Sequence, residues 1–221
     1  MCEYSISEIN KVVRGPKKAT YNIDEINTIL DDKFLCHIGY VWQGRAIVIP
    51  TAYGRMGDTI YIHGSLKNRM MKCILEAGEV SISVTHLDGL VLARSAFNHS
   101  ANYRSVTIFG RVRIVEDPKE KMDALECMLN HIVPGHWDNV RQPNEKEFKA
   151  TLVMAIKIDT ASAKVREGEV VDDKQDYELP LWAGVVPIQE VAGDVVSDSK
   201  LEGDIDIPST VLEYVKNNKL Y

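Results

Sequence analysis

The chain has 221 residues, of which 45% are hydrophobic and 26% are charged, and its formal net charge is -6. This length allows one domain with a sizeable core, and the acidic balance disfavours a non-specific nucleic-acid binder, which needs a basic face. No apolar stretch is as long as a membrane span, and the N-terminus lacks the apolar core of a signal peptide. We therefore expect a cytoplasmic protein that binds neither nucleic acid nor membrane.

A short helix and three strands are predicted before residue 63. The helix covers residues 22–30, with Asn22 as its N-cap, and the strands cover residues 34–41, 46–52 and 59–62. The Gln43-Gly44 pair and residues 55–58 provide the turns. Because these connections are too short for crossovers, we expect an antiparallel meander.

The stretch His63-Gly64-Ser65-Leu66-Lys67-Asn68-Arg69 then predicts a turn that leads into a helix over residues 66–77, with Ser65 as the N-cap. Lys67 and Arg69 would lie in the first helical turn, where free backbone N–H groups and the helix dipole favour an anion. Cations suit that position only when an anion is bound, so the pattern is typical of a phosphate site. The alternative is a surface turn with two solvated basic residues.

The remaining chain is predicted to contain further strands, and helices inserted between some of them. The helix after the turn would have Met70, Met71, Ile74 and Leu75 on its inner side and end at Gly78. Two strands, 80–85 and 90–95, are predicted next, with a turn at Asp88-Gly89, and a polar loop 98–102 and a strand 104–115 bent at Gly110 follow them. A helix opening at Pro118, a short helix capped by Asn144 and a strand 151–158 come after that strand. The chain then has a loop-rich segment 164–203 and a closing helix 208–216 capped by Ser209. Six or seven strands with mostly short connections predict a mainly β protein with helices, built as an antiparallel β-barrel.

The order of these elements, with the 63–69 stretch after the third strand, resembles the FMN-binding split barrels of the pyridoxamine 5′-phosphate oxidase-like superfamily. Residues 97–112, FNHSANYRSVTIFGRV, are similar to a flavin-nucleotide-binding subgroup related to nitroimidazole-resistance proteins, and residues 181–188, LWAGVVPI, add to the likeness. The resemblance implies one split-barrel domain over residues 1–221. Its core would cover about residues 20–190, and residues 191–221 would form a C-terminal extension with a short helix.

The resemblance also implies a flavoprotein that binds FMN at the interface of a homodimer. Such a protein would act as an oxidoreductase that takes electrons from a nicotinamide donor or a small substrate. The resemblance implies cofactor-binding residues on four segments, to which the turn adds Ser65. Along the ring they are Ile49, Pro50, Thr51 and Ala52; beside the ribityl chain and phosphate they are Ile62 and His63; around the phosphate they are Lys67, Asn68 and Arg69. Tyr103, Arg104 and Ser105 would lie on a strand that reaches the flavin, and Trp182 would cover the ring. His63 and Tyr103 are the candidate catalytic residues.

The sequence departs from true pyridoxamine phosphate oxidases at two places. The strand Arg45-Ala46-Ile47-Val48-Ile49-Pro50-Thr51 lacks the lysine at its end, and no arginine follows Arg166 to hold a phosphorylated substrate. The alternatives are a non-catalytic flavin-binding or carrier protein, a haem-binding split barrel, and FAD in place of FMN. His86, His131 and His136 suggest a metal site only weakly, because a Pro-Gly turn intervenes and no carboxylate pair is nearby, so no metal is expected.

Overall fold

The computed structural model describes residues 2–219; Met1 and residues 220–221, at the two ends of the predicted domain, lie outside the described residues. The strands are β1 (Ala19–Thr20), β2 (Leu35–Trp42), β3 (Arg45–Ala52), β4 (Gly54–Met56), β5 (Thr59–Ser65), β6 (Glu79–Leu92), β7 (Ser100–Ile114), β8 (Thr151–Arg166) and β9 (Gly184–Pro187). The helices are α1 (Ile23–Asp31), α2 (Arg69–Ala77), α3 (Pro118–Ile132), α4 (Glu145–Ala150) and α5 (Ser209–Asn217).

The nine strands form one sheet, and every strand pair in it is antiparallel. The main path runs β3-β2-β6-β7-β8-β5-β4, while β1 pairs with β8 and β9 pairs with β6. Tyr53 alone separates β3 from β4 in the chain, so the two ends of the path lie next to each other. The sheet therefore curls into an open barrel with helices around it, which confirms the predicted split-barrel fold.

Alternation along the strands sends every second side chain into the barrel. These inner residues and the apolar sides of α1 and α2 form one core, which includes Ile26, Leu30, Ile38, Met71, Ile82, Ile108 and Ile156. A second cluster lies under α3, where Ala124 and Met128 pack on Tyr61, Val153 and Ala155. Helices α2 and α3 therefore cover two different parts of the barrel.

The C-terminal extension returns to the turn after α3. The Nδ1 atom of His136 lies 3.1 Å from the Thr210 hydroxyl at the start of α5, and the N–H of Ala192 donates to the carbonyl of Asn218 at 2.8 Å. Within residues 2–219, no helix has the length and apolar character needed to cross a membrane.

Several predictions about secondary structure were wrong, including the turn at residues 55–58, where Gly54–Met56 form β4. The two strands predicted around Asp88-Gly89 are one strand, β6, in which Asp88 is the extra residue of a bulge between the pairs Leu87–Tyr103 and Gly89–Asn102. The strand continues because β7 pairs with both of its halves. The predicted polar loop 98–102 is mostly strand, since β7 begins at Ser100, and Ser209 is the first residue of α5 rather than its cap.

Candidate functional site

The turn between β5 and α2 differs from the prediction in where the helix begins. Ser65 is the last residue of β5, since it pairs with Thr151 of β8, and α2 begins at Arg69 with Asn68 as its N-cap. The Asn68 Oδ1 accepts the Met71 N–H at 3.3 Å, whereas the Ser65 hydroxyl accepts the Lys67 N–H at 3.2 Å. Ser65 therefore stabilises the turn and does not cap the helix. The predicted start at Leu66 was wrong because strand pairing extends past Ile62.

The turn nevertheless gathers donors for an anion. Lys67 and Arg69 are both exposed, and neither forms an ion pair with any carboxylate of residues 2–219. The first turn of α2 contains no acidic residue, and the N–H groups of Arg69 and Met70 have no intrahelical partner because they precede the first helical hydrogen bond. Backbone and side-chain donors thus meet at one helix N-terminus.

Arg69, one of these two cations, contacts Trp42, an aromatic residue that was not predicted to belong to the site. The guanidinium carbon of Arg69 lies 4.2 Å from the centroid of the Trp42 ring. Trp42 is the last residue of β2, and its half-buried ring packs against the barrel core. The sequence signal was Trp42 at the end of an alternating strand, but its distance of 27 positions from Arg69 in the chain concealed the contact.

One aligned pair at the start of β6, Glu79 and Arg111, is charged. From Ser81 and Phe109 to Leu87 and Tyr103, the outer face of the sheet over β2, β3, β6 and β7 carries no Asp, Glu, Lys or Arg at its aligned positions. The strand registers place the following residues on it: Leu35, His37, Gly39, Val41, Ala46, Val48, Pro50, Ala52, Ser81, Ser83, Thr85, Leu87, Tyr103, Ser105, Thr107 and Phe109. All of them are exposed or half-buried. An uncharged sheet face of this extent is typical of a surface that another molecule covers.

The predicted ring-binding residues divide between this face and the core. Pro50 and Ala52 lie on the outer face, as do Tyr103 and Ser105 on β7. Ile49 and Thr51 point to the inner side, like Ile62, which is fully buried. These inner residues would meet a ligand only through their backbone, and their role at a cofactor stays a prediction.

The backbone of β3 offers such contacts. β3 is an end strand of the sheet path, and within residues 2–219 it pairs only with β2. Across the Gln43-Gly44 hairpin the pairs alternate, so the N–H groups of Val48 and Ala52 and the carbonyl of Pro50 point away from β2. Among the described residues, no strand occupies that side of β3.

His63 is placed on the outer side of β5, two residues before the end of the strand. Its ring is solvent-accessible, although the surrounding atoms desolvate part of it and lower the pKa of His63 below its usual value. Desolvation disfavours the imidazolium, so His63 is neutral over more of the physiological range.

Arg104 lies apart from the other predicted residues. Its side chain is on the inner side of β7, opposite to Tyr103 and Ser105, and its guanidinium donates to Asp88 at 2.9 and 3.1 Å and to Asp32 at 2.8 Å. These carboxylates raise the pKa of Arg104, and they also accept hydrogen bonds from the N–H groups that a ligand would need. Arg104 therefore joins the β6 bulge to the end of α1.

Trp182 precedes β9 and is 70% exposed. β9 pairs with the end of β6, where Gly184 is opposite Leu92. The Trp182 ring lies against Gly184 and thus on the same outer side as Leu92. It extends the uncharged face at the end away from the Lys67 turn.

A protein-family model described as pyridoxamine 5′-phosphate oxidase matches residues 22–165, which is more than half of the chain. The chain belongs to this family. A search of curated proteins gave no match.

Two solved structures are similar to this family member over nearly its whole length. The flavocytochrome Anf3 from Azotobacter vinelandii is 36% identical with a TM-score of 0.89, and the match covers 94% of this chain and 97% of that one. The FAD and heme binding protein from Mycobacterium smegmatis is 31% identical with a TM-score of 0.84, covering 89% and 97%. A protein from Bacteroides thetaiotaomicron assigned to 5-nitroimidazole antibiotic resistance, 21% identical with a TM-score of 0.56 over 66% of this chain and 86% of that one, shares the fold.

The histidines of this pyridoxamine 5′-phosphate oxidase family member have separate environments. His86 contacts the carbonyl of Ile29 and His131 contacts that of Tyr53, each at 2.8 Å. His136 instead contacts Thr210, so the three histidines considered for a metal have three different partners. His99, by contrast, is exposed on the turn before β7, and its Nδ1 lies 2.9 Å from the carbonyl of Ser95.

Proposed function

We propose that this protein binds a flavin nucleotide, FMN in the first instance, and works as a flavin-dependent oxidoreductase. The observation that carries the proposal is the turn at the start of α2, where Lys67 and Arg69 have no carboxylate partner in residues 2–219 and stand beside free N–H groups. A phosphate is an anion that such a helix N-terminus binds readily. The near-full-length similarity to a flavocytochrome and to an FAD and heme binding protein supports a flavin as the phosphate carrier.

The proposed ring site is the uncharged outer face next to the free edge of β3. Ser65, Lys67, Asn68 and Arg69 would hold the phosphate, and the backbone groups of residues 49–52 would meet the polar edge of the ring. FAD carries a pyrophosphate that the same turn can hold, so FAD is the alternative cofactor. The lack of a lysine at the end of β3 and of an arginine after Arg166 argues against oxidation of pyridoxamine phosphate itself.

A bound flavin would supply the two-electron chemistry. The protein would bind and orient it and exclude water from one side of the ring. His63, with its lowered pKa, would remain a neutral imidazole able to donate one proton and accept another, and Tyr103 would offer a phenol from the uncharged face. A nicotinamide donor or a small substrate would occupy the open side of the ring.

We also propose that the partner is a second copy of this chain. The uncharged face over β2, β3, β6 and β7 would leave apolar side chains such as Val41 and Val48, each 65% exposed, in water in a monomer. A homodimer built on this face would cover them, and Trp182 of one subunit would reach the flavin of the other.

The test uses the purified protein before any cofactor is added. Mass spectrometry of the released ligand and the visible spectrum identify the cofactor, and mixing with NADH or NADPH shows whether the flavin band bleaches. A flavin that bleaches supports the oxidoreductase, while a bound flavin that neither donor reduces supports a carrier. Protein that neither retains nor rebinds FMN or FAD contradicts the proposal.

Haem binding is the second candidate function, since both near-full-length relatives are described as a flavocytochrome or a heme binding protein. His99 fits an axial ligand, because the residue is exposed and its Nδ1 lies next to the Ser95 carbonyl, which leaves Nε2 as the ligating nitrogen. Phe97, two residues away, is 92% exposed and offers an apolar surface. Adding hemin should give the Soret band of a ligated haem, which His99→Ala should change and His136→Ala should not. Spectra that are identical for the wild type and His99→Ala would exclude this ligand.

A further inference from the structure

Arg69 differs from Lys67 in having a fixed position. Its guanidinium is stacked on the ring of Trp42 at 4.2 Å, whereas Lys67 contacts no aromatic ring or carboxylate among residues 2–219. A cation on the face of an indole is attracted by the ring quadrupole, and the planar guanidinium is well suited to this contact. The contact with Trp42 thus orders the Arg69 side chain before any ligand binds.

The position of Trp42 follows from the alternation of β2. Cys36, Ile38 and Tyr40 point into the barrel, and Trp42 is the next residue on that side, at the end of the strand where α2 crosses. The Gln43-Gly44 hairpin, with both residues at positive φ, then reverses the chain. Trp42 therefore has one side against the core and the other side toward the first residue of α2.

The stack leaves the hydrogen-bonding edge of Arg69 available. Stacking uses the face of a guanidinium, while its five N–H donors lie in the plane and point outward. No carboxylate of the described residues lies within ion-pair distance of Arg69. Two parallel N–H donors of the Arg69 guanidinium can thus bind two phosphate oxygens next to the free N–H groups at the start of α2.

We propose that Trp42 is a positioning residue that sets the preference of this site for a phosphorylated flavin over riboflavin. The inference rests on the proposed flavin binding and deepens it. Trp42 acts through Arg69: it orders the side chain in advance, so that less conformational entropy is lost when the phosphate binds. Riboflavin has no phosphate and would gain nothing from this arrangement.

The test compares dissociation constants for FMN and riboflavin, measured by fluorescence quenching on cofactor-free protein. Trp42→Leu should weaken FMN binding about tenfold, the order expected for one cation–aromatic contact, and leave riboflavin binding unchanged. Arg69→Ala should weaken FMN binding at least as much, and the double variant should be no weaker than Arg69→Ala alone. Tyr177→Leu is the matched control, because it removes a similar cation–aromatic contact far from the phosphate turn. The guanidinium carbon of Arg94, just after the C-terminal end of β6, lies 5.0 Å from the centroid of the Tyr177 ring.

Additive losses in the double variant, or an equal loss of FMN and riboflavin in Trp42→Leu, would overturn the role of Trp42 while leaving flavin binding intact. Wild-type protein that binds neither FMN, FAD nor riboflavin would overturn the proposed function and this inference together. If Trp42→Leu fails to fold, Trp42→Phe replaces it in the same cycle, because phenylalanine keeps a weaker aromatic face and should give an intermediate preference for FMN.

Discussion

The ring of Trp182 occupies the space where a side chain at Gly184 would begin. A Cβ atom on Gly184 would lie 2.7 Å from the Cζ2 atom of Trp182, which is closer than two such atoms can approach. Trp182 can keep its position over the start of β9 only because residue 184 has no side chain.

Gly184→Ala should therefore move the Trp182 ring without unfolding the protein. The atom that must shift is the far end of an exposed side chain, so we expect the free energy of unfolding to change by less than about 1 kcal/mol. Flavin affinity should fall as it does in Trp182→Leu. Gly193→Ala is the control, because none of the described residues has an atom within 4 Å of its Cβ position. Unchanged flavin affinity in both Gly184→Ala and Trp182→Leu would remove Trp182 from the site.

The double variant Lys67→Ala/Arg69→Ala should purify without flavin and retain its fold. Both side chains are exposed, so their loss should not disturb the core, while the phosphate loses both of its cations. Flavin content by absorbance and the thermal midpoint measure the two effects. Lys72→Ala, an exposed lysine on the same helix, should keep full occupancy. A double variant that remains fully loaded would show that the phosphate lies elsewhere.

Asn68 allows helix capping and anion binding to be separated. Asn68→Ala removes the acceptor for the Met71 N–H and should cost about 1 kcal/mol of stability in urea unfolding. Asn68→Asp keeps an acceptor and should retain most of that stability, but its negative charge beside the phosphate should weaken FMN more than riboflavin. If Asn68→Asp binds FMN as well as the wild type does, no phosphate is close to this cap.

Gly110 lies where β7 and β8 change register, and its environment has no space for a side chain. A Cβ atom there would overlap the carbonyl oxygen of Lys157, which is backbone and cannot move aside, and would lie 3.0 Å from the Ile156 Cγ2. Gly110→Ala should lower the free energy of unfolding by about 3 kcal/mol. Denaturant unfolding against Gly193→Ala measures this, and a loss below about 1 kcal/mol would contradict the geometry.

Glu120 should make stability depend on acid pH. The guanidinium of Arg113, at 3.0 Å, and the Tyr61 hydroxyl, also at 3.0 Å, lower the pKa of Glu120 in the folded state. A carboxylate with a lowered folded pKa stabilises the protein above its unfolded pKa, and this contribution disappears as the pH falls through the folded pKa. Glu120→Gln should therefore be less stable at neutral pH, with a smaller loss of stability on acidification. Parallel pH profiles in urea would contradict this.

Periodicity and turn residues predicted most of the barrel because the strands alternate and because Gly44, Gly57 and Gly78 mark three of the chain reversals. The strand ends were harder to predict, since pairing partners far away in sequence determine them. Ser65 has the sequence signal of a helix cap, but it pairs with Thr151 and so belongs to β5. Asp88-Gly89 has the sequence signal of a turn, but β7 pairs with β6 on both sides of it, so the strand continues. Local signals cannot show which of these influences prevails.

The candidate site shows the same limit. The basic residues at the start of α2 were evident from the sequence, whereas all of residues 49–52 were expected along the ring and the register puts only Pro50 and Ala52 on the outer face. Trp42 was missed because its partner is on another element, and the carboxylates around Arg104 come from two separate segments. Leu75, predicted to lie on the inner side of α2, is 37% exposed because the helix meets the barrel through Met70, Met71 and Ile74.

The unpaired side of β3 has a consequence for handling the protein. A strand with open N–H and carbonyl groups is a template on which other chains can aggregate, and natural proteins often place a proline in such strands. Pro50 removes one donor in the middle of β3, which leaves the segments on either side less able to recruit a foreign strand. Replacing Pro50 with valine restores that donor and should therefore make the purified protein precipitate sooner.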